Sequence, residues 1–199
     1  MTAQEIADDD WHRCFIALEP DAATRDTLAA MPVGAAARRV GIDQLHMTVA
    51  FLGTVPPEQG ARLAAQLGSV VVPLPTQRAG HAEYWPSAAH PRLVVVPFAS
   101  DSGLAGLEAR VRSLVASLGL PIDDHRPFRP HVTLARFARA ARPAREAPVG
   151  RVLSPAGGAL DATGLDFTSR FESLTLYSST LARHGARYRA LATVAVPLA

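Results

Sequence analysis

Two short segments of the chain alternate polar and apolar residues in the same way. In Leu45 to Leu52, His46 and Thr48 fall on one parity and Met47, Val49 and Phe51 on the other; in His131 to Phe137, His131 and Thr133 oppose Val132 and Leu134. Side chains two apart on an extended strand point to the same face, so each segment predicts a strand with a histidine and a threonine side by side. Burying four such polar groups costs free energy unless a partner satisfies them, and a phosphate held between the two strands would do so. The repeat points to a two-histidine phosphate site.

The remaining pattern supplies a frame for that site. Arg13 to Leu18 reads as a buried strand, and Asp21 as the cap of a helix reaching about Met31, followed by a loop to Gly41. Pro56-Pro57-Glu58 opens a helix with Leu63 and Leu67 as its apolar stripe. Val70 to Leu74 and Leu93 to Phe98 read as strands. The strongest helix is capped by Asp101 or Ser102, carries Leu104, Leu107, Val111, Leu114, Val115 and Leu118 at three- and four-residue steps, and stops at Gly119 and Pro121. Ala138 to Pro148, rich in Ala, Arg and Pro, reads as an exposed connector. Leu165 to Phe171, Glu172 to Ser178 and Tyr188 to Val196 predict three more strands, with Arg183-His184-Gly185 as a turn. The expected architecture is α+β: a polar tail over residues 1–12, then a single domain over 13–199 of two pseudo-symmetric lobes. Mainly antiparallel sheet and flanking helices should surround a central cleft, across which the histidine strands face each other.

Composition narrows the partners only a little. With 199 residues, 48% of them hydrophobic, the chain can bury a full core, and no apolar run has the length of a membrane span. The acidic first ten residues do not resemble a secretion signal, so a cytoplasmic, membrane-free protein is expected, and a monomer. The single cysteine, Cys14, lies in an apolar run and reads as a packed, inert thiol. All 20 basic residues are arginine, yet the formal charge is only +2, which permits a nucleic-acid partner without announcing one.

The repeated histidines suit a specific chemistry. If the ligand is a ribose 2′,3′-cyclic phosphate, phosphorus must gain an oxygen from water on one side and lose a ribose oxygen on the other. A neutral histidine takes the water's proton and a protonated one supplies the departing oxygen, since an unperturbed pKa of about 6.5 makes both forms accessible. Thr48 and Thr133 would donate hydroxyl hydrogens to the non-bridging oxygens. The scheme needs no metal and no cofactor, and neither motif carries a second histidine or a carboxylate at ligand spacing. There is no Gly-x-Ser-x-Gly elbow for a nucleophilic serine and no glycine-rich phosphate loop. Tyr84, Trp85 and Phe98 could offer a stacking surface for a base, or serve packing. His12, His81, His90, His125 and His184 have no repeated partner and read as surface or structural residues.

Longer blocks carry a resemblance. Cys14 to Leu18, Leu45 to Gly53, Pro127 to Arg136, Leu176 to Leu181 and Gly185 to Tyr188 together resemble the two-histidine phosphoesterase superfamily. Within it, the chain is most similar to the RNA 2′,3′-cyclic phosphodiesterases, also described as 2′-5′ RNA ligase-like proteins. The resemblance implies a bilobal α+β fold with a positively charged cleft, opening of a cyclic phosphate to a 2′-phosphomonoester, and RNA ends or small nucleotides as partners. It implies His46 as the acid for the leaving 3′ oxygen, His131 as the base for water, and Arg136 as a neutraliser of phosphate charge. Strict parity puts Arg136 on the face opposite His131, so the strand must end, twist or bulge for it to reach in. Arg38-Arg39-Val40 stands where family members commonly carry an aromatic residue; these arginines, like Arg139, Arg142 and Arg145, read as solvated loop, with contact to an RNA backbone as the alternative. Competing functions are 2′-5′ ligation, hydrolysis of another cyclic or 2′-5′ linked nucleotide, and non-catalytic binding of RNA ends.

Overall fold

Apolar alternation is resolved into one antiparallel sheet with its helices packed on a single core. The computed structural model describes residues 11–121, 127–138, 167–182 and 185–199. The strands are β1 (Cys14–Pro20), β2 (Ala37–Arg39), β3 (Met47–Gly53), β4 (Gln77–Ala79), β5 (Glu83–Trp85), β6 (Leu93–Pro97), β7 (His131–Phe137), β8 (Phe167–Ser169), β9 (Phe171–Ala182) and β10 (Gly185–Ala195). The helices are α1 (Ala22–Ala30), α2 (Pro57–Gln66) and α3 (Ser102–Ser117). The large sheet runs β10-β9-β1-β3-β7-β6-β5, with β2 also paired to β7, while β4 and β8 form a separate ribbon.

The helix signals act as expected. Asp21 caps α1 by accepting from the Thr24 amide at 2.9 Å, and Asp101, not Ser102, caps α3 by accepting from Leu104 at 2.8 Å. Gly119, at φ +68°, ends α3 in the left-handed region that glycine adopts without strain. Leu63 of α2 and Leu104, Leu107, Val111 and Val115 of α3 join one apolar cluster with Ile16, Leu18, Met47, Val49, Val132, Leu134, Leu174 and Leu176 from the strands. The strand residues in that cluster are the parity partners of the polar positions, so helix packing dictates which face the histidines take. No helix among the described residues is long and apolar enough to cross a membrane.

Several local expectations are corrected. Val70 to Leu74 is not a strand: residues Leu67–Val70 form a 3-10 turn, and Pro73 and Pro75 leave too few donors for a ladder, so only Leu74 pairs, with Leu198. The loop Met31 to Gly41 contains β2, a strand without apolar alternation that exists because β7 offers it an edge. The folded region reaches back to Trp11, within the segment expected as a polar tail; its indole is buried against Gly60 of α2, where a Cβ would fall 2.3 Å from the ring. The turn residues Arg183 and His184, with His125, Arg139, Arg142 and Arg145, lie outside the described residues, as does most of the Ala138 to Pro148 connector.

The two histidine strands are neighbours rather than opposing walls. They share one rung, Met47 with Val132, and diverge from it: β3 turns to β1, whereas the later part of β7 pairs with β2. A half made of β10, β9, β1 and β3 therefore meets a half made of β2, β7, β6 and β5 at a single residue pair, with one histidine immediately before that rung on each strand.

Candidate active site

Each histidine is held by the same local device. The Nδ1–H of His46 donates to the carbonyl of Gln44 at 2.7 Å, and that of His131 donates to the carbonyl of Arg129 at 2.7 Å, in both cases two residues back. A carbonyl can only accept, so Nδ1 carries the hydrogen and Nε2 is left as the nitrogen that gains and loses a proton. Gln44 is itself tied down, its side-chain amide donating to the carbonyl of Ala186 at 2.7 Å.

Two bulges determine what else reaches this face. On β7 the pairing steps from Thr133 with Val95 to Ala135 with Val94, leaving Leu134 as the extra residue. Parity is reversed beyond it, and Arg136, opposite Leu93, joins Thr133 and His131; the consecutive buried pair Leu134 and Ala135 records the slip. The parity objection to Arg136 is thus answered by a bulge. On β3 the pairing steps from Thr48 with Ala17 to Ala50 with Ile16. That slip brings Phe51 onto the histidine face opposite Phe15, 69% exposed, where strict alternation placed it with Met47 and Val49.

The surroundings of the two rings differ. His46 is packed among aromatic rings, 5.1 Å from Phe15, 5.4 Å edge-on from Tyr188 and 6.5 Å from Tyr177. Glu19 completes that side by accepting from the Tyr177 hydroxyl at 2.7 Å and from the Thr175 hydroxyl at 2.5 Å. His131 sits 4.6 Å from Trp85, whose ring also carries the Arg129 guanidinium 4.1 Å from its centroid and whose indole N–H donates to the Glu83 carboxylate at 3.0 Å. Burial lowers the pKa of both histidines, and Arg136 lowers both further; Arg129 adds to this at His131, whereas Glu19 acts in the opposite sense at His46. His131 in turn lowers His46.

The structure brings together His46, Thr48, His131, Thr133 and Arg136 on one face, each half-buried except for the exposed Arg136. Of the candidate stacking residues only Trp85 belongs here. Tyr84 turns to the core against Phe137, and Phe98 is buried against Phe171. His12, His81 and His90 are exposed. Cys14 is buried and its thiol is pushed up to about 11, consistent with an inert core residue. Sequence reasoning missed Glu19, Tyr177 and Tyr188 as neighbours of His46. Glu19 did leave a signal, being the one carboxylate at the end of an otherwise apolar strand and on the parity of Phe15 and Ala17. Among the described residues no group of three or more His, Cys, Asp or Glu is placed to hold a metal ion.

Paired histidines, flanking hydroxyls and an arginine on a bilobal antiparallel sheet describe a phosphoesterase. The comparisons with known proteins agree. The family model for LigT-like phosphoesterases matches residues 96–188. An RNA 2′,3′-cyclic phosphodiesterase of Escherichia coli (strain K12) is 32% identical over 157 residues, which cover 78% of this chain and 78% of that protein. Among solved structures, E. coli LigT complexed with 3′-AMP superposes with a TM-score of 0.65 at 30% identity, covering 93% of this chain and 98% of the other. The protein TT0787 of Thermus thermophilus gives 0.68 at 25% identity, covering 94% and 98%. This chain belongs to the LigT-like phosphoesterase family and is a hydrolase of that family.

Proposed function

We propose that the protein hydrolyses RNA or nucleotide 2′,3′-cyclic phosphates to 2′-phosphomonoesters by paired-histidine acid–base catalysis, without a metal. The carrying observation is the shared anchoring of His46 and His131, which leaves one proton-exchanging nitrogen on each side of a single rung. The names of the relatives support the substrate class, and a relative complexed with 3′-AMP supports a nucleotide ligand.

In this reading a cyclic phosphate lies on the shared face of β3 and β7 with its non-bridging oxygens toward Thr48, Thr133 and Arg136. Nε2 of His131 removes a proton from water as the water oxygen bonds to phosphorus. The bond from phosphorus to O3′ breaks on the opposite side, and Nε2–H of His46 supplies that oxygen's proton, leaving the phosphate on O2′. The charges support this division of labour. Burial and Arg136 make both rings poor holders of a proton, His131 adds to this at His46 and Arg129 at His131, and Glu19, which acts on His46 alone, is the one carboxylate that favours its protonated form. The bound phosphate's own negative charge further favours a protonated His46.

Incubation of the protein with an oligonucleotide ending in a 2′,3′-cyclic phosphate, in the presence of chelator, tests the proposal. A 2′-phosphate product at an undiminished rate supports it. A 3′-phosphate product, or turnover abolished by the chelator and restored by a metal ion, contradicts it.

A further inference from the structure

Two adjacent arginines in the segment before the first histidine have separate fates. Arg39 is structural: its guanidinium donates to the carbonyls of Ala29 and Met31, closing the end of α1. Arg38 points elsewhere. It pairs directly with Arg136 across β2 and β7, so the two side chains leave the sheet on the same face, and the Leu134 bulge has already made that the histidine face.

A like-charged pair on one antiparallel rung is destabilising, with Cβ atoms only about 5 Å apart. Neither Arg38 nor Arg136 has an ion-pair partner among the described residues, and both are exposed. Arg38 extends toward the start of β10, where its guanidinium lies 3.7 Å from the position a Cβ would take on Gly185. The charge of Arg136 reaches both histidines, whereas Arg38 lies one strand further out and does not figure among the groups acting on either. Two unneutralised guanidiniums, one at the reaction centre and one a step away, fit two consecutive phosphates of one strand.

Resting on the cyclic-phosphate reading, we infer that Arg38 forms a second phosphate subsite that binds the internucleotide phosphodiester next to the cyclic end, making the preferred substrate an oligonucleotide rather than a mononucleotide. Phosphate recognition by a planar fork carries no base information, so the preference is for chain length and not for sequence.

The test compares kcat/KM for a tetranucleotide ending in a 2′,3′-cyclic phosphate with that for a nucleoside 2′,3′-cyclic phosphate. The wild type should favour the tetranucleotide, and Arg38→Ala should cut that advantage about tenfold, the loss of one charge-assisted contact. A 5′-fluorescein tetranucleotide ending in a 3′-monophosphate, which needs no turnover, reads binding by anisotropy. Arg38→Ala should lower the dependence of log K on log salt by about 0.7, the contribution of one phosphate on a single strand, and Arg38→Lys should restore most of it. Relief of the like-charged rung means that thermal unfolding of Arg38→Ala should occur no lower than in the wild type. A wild type indifferent to length, an Arg38→Ala variant with unaltered length preference and salt slope, or one that unfolds well below the wild type would overturn the inference. Absence of turnover on both substrates with the anisotropy result intact would instead remove the catalytic reading and leave the subsite standing.

Discussion

The two halves of the sheet present the same tetrapeptide pattern in settings that share burial and Arg136 but differ in their other neighbours. In the half built on β1, β3, β9 and β10, His46 lies within a sleeve of Phe15, Tyr177 and Tyr188 with one carboxylate, Glu19, behind it. In the half built on β6 and β7, His131 lies between an indole and two arginines, and no carboxylate acts on it. Sequence repetition supplies matching histidines, and the neighbouring strands make them unequal. The proposed mechanism, which gives a proton on one side of phosphorus and takes one on the other, draws on that inequality.

The comparison breaks most readily at the rings themselves. His46→Ala and His131→Ala should each lower kcat by roughly 10²–10⁴, because each removes one arm of acid–base catalysis, and the double variant should lose far less than the product of the two. Steady-state rates on a cyclic-phosphate oligonucleotide measure this. If one histidine could be removed without cost, the halves would not be complementary.

Thr48→Val and Thr133→Val are the next largest, each removing one hydroxyl that the proposed mechanism directs at a non-bridging oxygen. A hydrogen bond to a charged group is worth about 1.5–3 kcal/mol, or roughly 10- to 100-fold in kcat/KM. Equal losses would mean that the phosphate is shared evenly between the strands.

Glu19→Gln sharpens the electrostatic contrast. Glutamine still accepts from Tyr177 and Thr175 but removes the charge that favours protonated His46, so the descending limb of the pH–rate profile should move to lower pH. The ascending limb, assigned to His131, should stay in place. Proton NMR of the His46 ring reads the same shift without catalysis.

The smallest effect concerns stability. Both histidines have folded-state pKa values below their ordinary 6.5, so the unfolded chain binds more protons. Stability is therefore full above about 6.5 and declines as the pH falls from there toward the folded values. Denaturant melts of His46→Ala and His131→Ala should show a shallower decline over that interval than the wild type.

How much of this was legible in the sequence follows from what each feature depends on. Asp21, Asp101, Gly119 and the α3 stripe act within a few residues of themselves, and their effects were readable from spacing alone. His46, Thr48, His131 and Thr133 were readable because alternation held across each tetrapeptide. Alternation failed at Leu134 and Val49, where an extra residue is tolerated for reasons set by the partner strands β6 and β1, and those two bulges decide the placement of Arg136 and Phe51. β2 was hidden for a related reason, since Ala37–Arg39 carries no pattern of its own. Likewise Glu19 lies on β1 and Tyr177 and Tyr188 on the consecutive strands β9 and β10, far along the chain from His46, and only the strand order β10-β9-β1 brings them to it.

The division of roles between the two histidines can be tested directly with a 2′,3′-cyclic phosphate analogue whose 3′ bridging oxygen is replaced by sulfur. A thiolate leaves without needing a proton, so the analogue makes the acid dispensable and leaves the base essential. His46→Ala should recover most of its lost rate on this substrate while His131→Ala stays impaired. Recovery by His131→Ala instead, or equal impairment of both variants, would contradict the assignment.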